Sequence, residues 1–466
     1  MTMDRRSLTR VLLVVVLLLD VDGAIIALGN DYSCALQENG TVLCWGRNDH
    51  GQLGNGTTTD RTTPVVVSGI TTATSIALGD YHACALLTNS TVLCWGLNDR
   101  GRLGDGTNSS SSIPVEVSGI TTATSIALGG EHSCALLTDG TMKCWGYGGD
   151  GQLGDGTYTD RATPVEVSGI TTATSIALGQ FHSCALLEDS KIKCWGWNQY
   201  GQLGDNTDSG RNFPDEVSDI TTAISIALGW AHSCALLTDG TMKCWGWNGY
   251  GQLADSINST AQPQGISGIT TATSIALGYS YSCSLLTGGK VMCWGDKYKG
   301  QLGDGTNTSS IIPVEVSDIT TATSIAGGTQ HVCATLMDGS VTCWGHNGRG
   351  ALGDGTFTDR STPVEVSGLT VAFPPPPSPP PSSNTTNVTS PPSSNATAVP
   401  PPPPPPNATD VPPPPSAQNA TAEPPPPPSP PTPPPPKSFV FLADYESSAG
   451  RLSVLTALVV SLLIVL

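Results

Sequence analysis

A chain of 466 residues with 38% hydrophobic content can bury a sizeable core somewhere along its length. Its formal net charge of −18 argues against nucleic acid as a partner, because phosphate binding needs a basic surface. No run of Lys and Arg occurs beyond the first ten residues.

Residues 1–23 form a unit of their own. Arg5, Arg6 and Arg10 precede the apolar run Val11–Leu19, and Val21-Asp22-Gly23 offers small residues for cleavage. This is the layout of a secretory signal peptide cut near Gly23, with an uncut signal anchor as the alternative.

Residues 24–373 repeat one unit seven times. The copies are marked by paired cysteines at Cys34/Cys44, Cys84/Cys94, Cys134/Cys144, Cys184/Cys194, Cys234/Cys244, Cys283/Cys293 and Cys333/Cys343, which account for all 14 cysteines. The step is 50 residues throughout, except for one of 49. Each copy carries four short segments of strand character, in the third Thr124–Leu128, His132–Leu137, Thr141–Trp145 and Pro164–Val167. Gly and Asp-Gly punctuate them, and no helical period is sustained. Seven copies of four strands predict an all-β, seven-bladed propeller, whose circular closure protects sheet edges. An open solenoid would need atypical capping repeats, and the first and seventh copies are not atypical.

The composition changes after Phe373. Residues 374–437 hold 31 of the 38 prolines, mixed with Ser, Thr, Asn and Ala, a texture that cannot build a core and favours extended polyproline II. We read it as a stalk or a wall-embedded segment. It carries Asn-x-Ser/Thr sequons at Asn384, Asn387, Asn395, Asn407 and Asn419, and further sequons stand in the repeats at Asn39, Asn55, Asn89, Asn108, Asn258 and Asn307. A spacer over 438–451 leads to an uncharged apolar tail at 452–466. That tail is membrane-directed, either as a lipid-anchor signal or as a short segment. The Ser-Pro-Pro-Pro texture resembles hydroxyproline-rich glycoproteins of extracellular matrix.

The cysteines have a geometric reading. In the hairpin Cys134–Cys144, a three-residue loop Thr138-Asp139-Gly140 puts Gly140 where a positive φ is needed, as in a type I turn with a G1 bulge. Leu137 then faces Thr141, and Cys134 lands opposite Cys144 at disulfide distance. Each pair therefore predicts a bridge within its own copy. The nine-residue gap is not zinc spacing, and Cys-x-x-Cys redox motifs are absent. Free thiols in a reducing cytosol are the alternative, but an even count behind a signal peptide points to oxidation.

The segments Gly201-Gln202-Leu203-Gly204-Asp205, Thr241–Gly246 and Trp247-Asn248-Gly249-Tyr250-Gly251-Gln252-Leu253 together resemble the regulator-of-chromosome-condensation repeat. The resemblance covers the seven copies and implies a seven-bladed propeller. It leaves function open, since that fold carries several. The family's nuclear member is an exchange factor for a small GTPase and uses a wedge inserted in one blade; no copy here is longer than its siblings. The cysteine-paired form is similar to secreted bacterial repeat proteins, a propeller inhibitor of β-lactamase, and crinkly-type receptor-kinase ectodomains. Those relatives imply an extracellular protein or ligand partner. Gly229-Trp230-Ala231-His232-Ser233 echoes a motif of the plant ultraviolet-B receptor, without its Arg.

Recurring residues read as structure. Trp45, Trp95, Trp145, Trp195, Trp245, Trp294 and Trp344 follow the second cysteine of every pair, as packing between neighbouring blades requires. His82, His132, His182, His232 and His331 share one position with Tyr32 and Tyr281; a metal ring would not tolerate the tyrosines, so hydrogen bonding is expected. Asp105-Gly106-Thr107 and its copies lack calcium-loop spacing and read as turns. No nucleophile set stands apart from the repeats, so no enzyme, catalytic residue, metal or cofactor is expected.

What varies between copies carries more information. The D–A connection "SGITTATSIALG" hardly changes, whereas the A–B and C–D connections do. Those two fall at one end of an up-and-down blade. They carry Tyr147, Phe181, Trp197, Tyr200, Trp230, Trp247, Tyr250, Tyr279, Tyr281 and Tyr298. Loops on a rigid scaffold commonly carry function, and these aromatics define a candidate binding face over blades three to six. The expectation is a monomeric propeller at the cell surface or in the extracellular matrix, binding a protein or carbohydrate. The rivals are an exchange-factor-like regulator and a structural wall glycoprotein without a specific ligand.

Overall fold

The hairpin at the centre of each repeat sets the register of its whole blade. Gly140 adopts φ +77°, its N–H donates to the Leu137 carbonyl at 3.0 Å, and the Leu137 N–H donates to the Thr141 carbonyl at 2.9 Å. Cys134 therefore faces Cys144 with 4.1 Å between Cα atoms, and the two are bonded. The same bond joins Cys34–Cys44, Cys84–Cys94, Cys184–Cys194, Cys234–Cys244, Cys283–Cys293 and Cys333–Cys343. No described cysteine is free.

The computed structural model describes residues 25–254 and 258–369. The expected signal peptide, proline-rich tract, spacer and apolar tail lie outside the described residues, as do the sequons at Asn384, Asn387, Asn395, Asn407 and Asn419. The described residues form 28 strands in seven antiparallel four-stranded sheets. Within each sheet, strands A to D pair in chain order, and the seven A strands neighbour one another around the axis. This is a seven-bladed propeller. No described helix is long and apolar enough to cross a membrane.

In the third blade the strands are Ala123–Leu128, His132–Leu137, Met142–Gly146 and Arg161–Glu166. The fourth differs from the Pro164–Val167 expected from sequence, because pairing begins three residues earlier. Gly146 faces Arg161 and Cys144 faces Val165, so a bulge absorbs the segment around Pro164. Proline lacks the N–H a ladder needs, and strand D is the outer edge, where that loss is tolerated and discourages edge-to-edge pairing. Pro64, Pro114, Pro214, Pro263, Pro313 and Pro363 hold the same place in the other blades.

Tryptophan makes the joint between blades. All seven repeat tryptophans are fully buried. Trp145 Nε1 donates to the Arg102 carbonyl of the preceding blade at 2.9 Å, and Trp195 does so to the Gln152 carbonyl. The indole lies against Gly104, where an added Cβ would come within 2.8 Å of Trp145 Nε1. Backbone reaches forward as well, since the Gly106 N–H donates to the Ala162 carbonyl on the next blade's edge strand.

The ring closes without strand exchange. Blade one and blade seven are each built from four consecutive strands of their own repeat. The ordinary joint recurs at the seam: Trp45 Nε1 donates to the Ala351 carbonyl at 2.8 Å, and the Gly355 N–H to the Thr62 carbonyl at 3.0 Å.

Candidate interaction face

The repeated histidines complete the joints. His132 Nε2 lies 2.8 Å from Ser183 Oγ in the next blade, and His82–Ser133, His182–Ser233, His232–Ser282 and His331–Ser33 repeat the contact. Each serine hydroxyl donates its own proton to a backbone carbonyl, Ser183 to that of Gln152 at 2.8 Å. The histidine must then donate from Nε2, leaving Nδ1 bare, and none of the five Nδ1 atoms has a partner. A second proton there would be buried without an acceptor. Burial accordingly drives His132, His182 and His232 down to about 3, His331 to about 4, and His82 well below the usual imidazole range.

Tyrosine solves the same joint differently. Tyr281 Oη reaches the Gly328 and His331 carbonyls, both at 2.7 Å, and Tyr32 Oη the Gly79 and His82 carbonyls. Neither needs a serine in the next blade, and Val332 and Ala83 stand where it would be. Tyr281 therefore corrects the sequence reading: it is fully buried in a joint and is not part of the exposed face.

The remaining aromatics gather at the end of the ring that bears the A–B and C–D loops. Ring centroids step from Tyr147 to Phe181 (6.2 Å), to Trp197 (6.1 Å), to Trp230 (5.6 Å) and to Trp247 (5.2 Å). Tyr200 and Tyr250 flank this line beside Trp197 and Trp247, and Tyr279 stacks on Trp230 at 4.8 Å. A–B residues (Phe181, Trp230) thus touch C–D residues (Tyr147, Trp197, Trp247), placing both loop sets at one end. Most contacts are edge-on, the arrangement aromatic quadrupoles favour. Tyr200, Tyr250 and Tyr279 remain exposed. Tyr298 stands apart, 79% exposed, with Lys299 over its ring.

Ion pairs stand elsewhere at this end. Asp31 pairs with His346 at 2.7 Å, Arg47 with Asp49, and Arg349 with Asp60. Tyr81, which sequence reasoning passed over, lies beneath Arg47 and against His50. It occupies the position of Phe181 one hundred residues earlier, and comparing copies would have found it.

The RCC1-like domain family matches residues 15–317. The chain belongs to this family. Its seventh blade continues past the matched segment to Glu365. Yeast RCC1 (Prp20), in a structure bound to Kap60, superposes with a TM-score of 0.65 at 23% identity, covering 71% of this chain and 84% of that one. Human WBSCR16 gives 0.64 at 23% identity, with 70% and 94% covered. Prp20p of Saccharomyces cerevisiae, described with its binding to Gsp1p and histones, gives 0.63 at 22%, with 71% and 87% covered. At these identities the likeness shows the fold. No curated protein matches the chain in sequence.

In this RCC1-like propeller no C–D loop is longer than its siblings; that of blade five is one residue shorter. Asp105 accepts from both the N–H and the hydroxyl of Thr107, a local turn, and Asp155, Asp205 and Asp354 repeat it. Among the sequons, Asn39, Asn89, Asn108, Asn258 and Asn307 are exposed and Asn55 is half-buried. None lies in blade three or four.

Proposed function

We propose that this RCC1-like propeller is an extracellular binding module that offers its aromatic ridge to a protein or carbohydrate ligand. The ridge carries the reading: seven rings in continuous contact, from Tyr147 to Tyr250, on loops spread over three blades and joined by Tyr279 of the next. Flat apolar rings with polar edges suit stacking on sugars or anchoring a protein, and rigid strands hold them in place. A bridge in every blade fits an oxidising compartment. The six propeller sequons carry glycans in this reading, and residues 452–466 attach the protein to a membrane at the cell surface. The role is recognition, without catalysis.

The test is a binding screen of the purified propeller against a glycan array and a panel of secreted proteins. Capture that falls more than tenfold in the Trp197→Ala/Trp247→Ala double variant is the expected result. Capture indifferent to both substitutions, or accelerated nucleotide release from a small GTPase with no extracellular ligand, contradicts it.

A further inference from the structure

The seven A–B turns surround a cavity of about 120 Å³ at the mouth of the central channel. Six of its seven turn-tip residues line it, and they differ from blade to blade: Asp80, Gly130, Gln180, Trp230, Tyr279 and Thr329. The asymmetry is built. Gln180 crosses the mouth from blade four, and its Nε2 donates to Asp80 Oδ2 of blade two at 2.8 Å. Blade three gives way, because a Cβ on Gly130 would stand 2.2 Å from Gln180 Nε2.

Asp80 is left under-partnered by this arrangement. A carboxylate has roughly four acceptor sites, and Gln180 is the one side chain among the described residues that bonds it. Among the described residues it belongs to no ion pair. The nearby cations make their ion pairs with other carboxylates, Arg47 with Asp49 at 2.6 Å and Arg102 with Asp99 at 2.7 Å, and act on Asp80 through space. Burial raises the Asp80 carboxyl and the charge of Glu131 adds to this, while the Gln180 hydrogen bond and the charges of Arg102 and Arg47 offset only part of it. Across the cavity, on blades five and six, Trp230 and Tyr279 stack face to face within 18° of parallel.

We infer that this mouth is a cation-recognition pocket, which receives one basic side chain, Arg or Lys, of a protein partner held on the aromatic ridge. The inference rests on the binding role proposed above and chooses a protein over a neutral glycan. An unpaired carboxylate supplies the counter-charge, and the Trp230–Tyr279 pair the ring faces that attract a cation. Water takes about 30 Å³ in the liquid, so the cavity suits a single head group with its last methylenes. A net charge of −18 draws a basic partner towards the ring.

The experiment titrates the full disulfide-bonded protein with Nα-acetyl-arginine amide and with its neutral isostere Nα-acetyl-citrulline amide, following the Trp230 indole N–H by NMR. The arginine probe is expected to bind at least tenfold more tightly, and Asp80→Asn to remove that preference. Gln180→Ala is expected to keep it. If Asp80 serves only to hold Gln180, both variants lose melting temperature together and leave the probe ratio unchanged, which overturns the pocket. Equal binding of the two probes to the unaltered protein overturns it as well. Ridge-dependent capture in the glycan and protein screen is read on the same preparations. If that capture persists while the cation preference is absent, the pocket alone fails and the binding role stands.

Discussion

The joints between blades and the A–B/C–D end of the ring are built from the same repeat, yet they treat its residues in opposite ways. At the joints, one position is tryptophan in all seven copies, and another alternates between two interlocking solutions, His with Ser or Tyr with Ala or Val. At the variable end, the residue after the A-strand glycine is Asn30, Asp80, Gly130, Gln180, Trp230, Tyr279 or Thr329, a different one in every blade. Packing constrains the first set, since each side chain must fit a neighbour on both sides. The second set is free of that constraint, and there the chain places aromatic rings in one sector and ion pairs in the other. What is alike among copies builds the ring; what is unlike is available for recognition.

The strongest way to break the joints is chemical. Each bridge closes an 11-residue hairpin, which by loop entropy contributes about 3 kcal/mol. Reduction of all seven should collapse the melting transition by tens of degrees; a scan that is unchanged in excess reductant would refute the role given to them.

Acid should act next, and through the joints. A buried imidazole whose folded value lies near 3 or 4, against about 6.5 when unfolded, stabilises the ring fully above pH 6.5 and progressively less below it. Each such site costs about 1.4 kcal/mol per pH unit between pH 6.5 and its folded value. The urea midpoint should be flat above pH 7 and fall steeply from pH 6 to pH 4. A midpoint flat to pH 4 would show the histidines charged in the fold.

Exchanging one joint solution for the other sharpens the comparison. Ser233→Ala leaves His182 Nε2 without its acceptor, at a cost of about 1–3 kcal/mol. The double change His182→Tyr/Ser233→Ala imitates Tyr32 with Ala83 and should recover most of that loss, with a shallower acid slope. A double variant as unstable as the sum of the singles would mean that the two solutions are not interchangeable. A smaller effect is expected at the hairpin tips, where Ser190 occupies the left-handed region at φ 64° that glycine holds in most copies. Ser190→Gly should raise stability by about 0.5–1 kcal/mol in urea unfolding, and a loss would argue against backbone strain at that tip.

Much of this was legible from spacing. Gly140 and the ten-residue cysteine interval together specify the hairpin, because a turn with one left-handed residue admits a single register. The fourth strand was harder. Pro164 sits inside a bulge, and a strand reading that treats proline as a boundary starts three residues late. Tyr279 and Tyr281 are two residues apart and look alike in sequence, but the first ends in a loop and the second begins strand B, pointing into the joint. The pairing of His with Ser and of Tyr with Ala or Val is also present in the sequence. It becomes visible when each copy is aligned with the one after it rather than read alone. Ring closure had no local signal, since it depends on a carbonyl at Ala351 meeting Trp45 across 306 positions.

The most direct test sets one tryptophan from each region side by side. Trp145→Ala removes a fully buried joint residue and should cost about 3–5 kcal/mol, seen as a large fall in melting temperature. Trp197→Ala removes a ridge residue and should leave the melting temperature within a degree or two, while capture of the ligand identified by the screen weakens more than tenfold. If Trp197→Ala instead lowers the melting temperature as far as Trp145→Ala, or leaves capture intact, the ridge belongs to the scaffold and the division between joint and face is wrong.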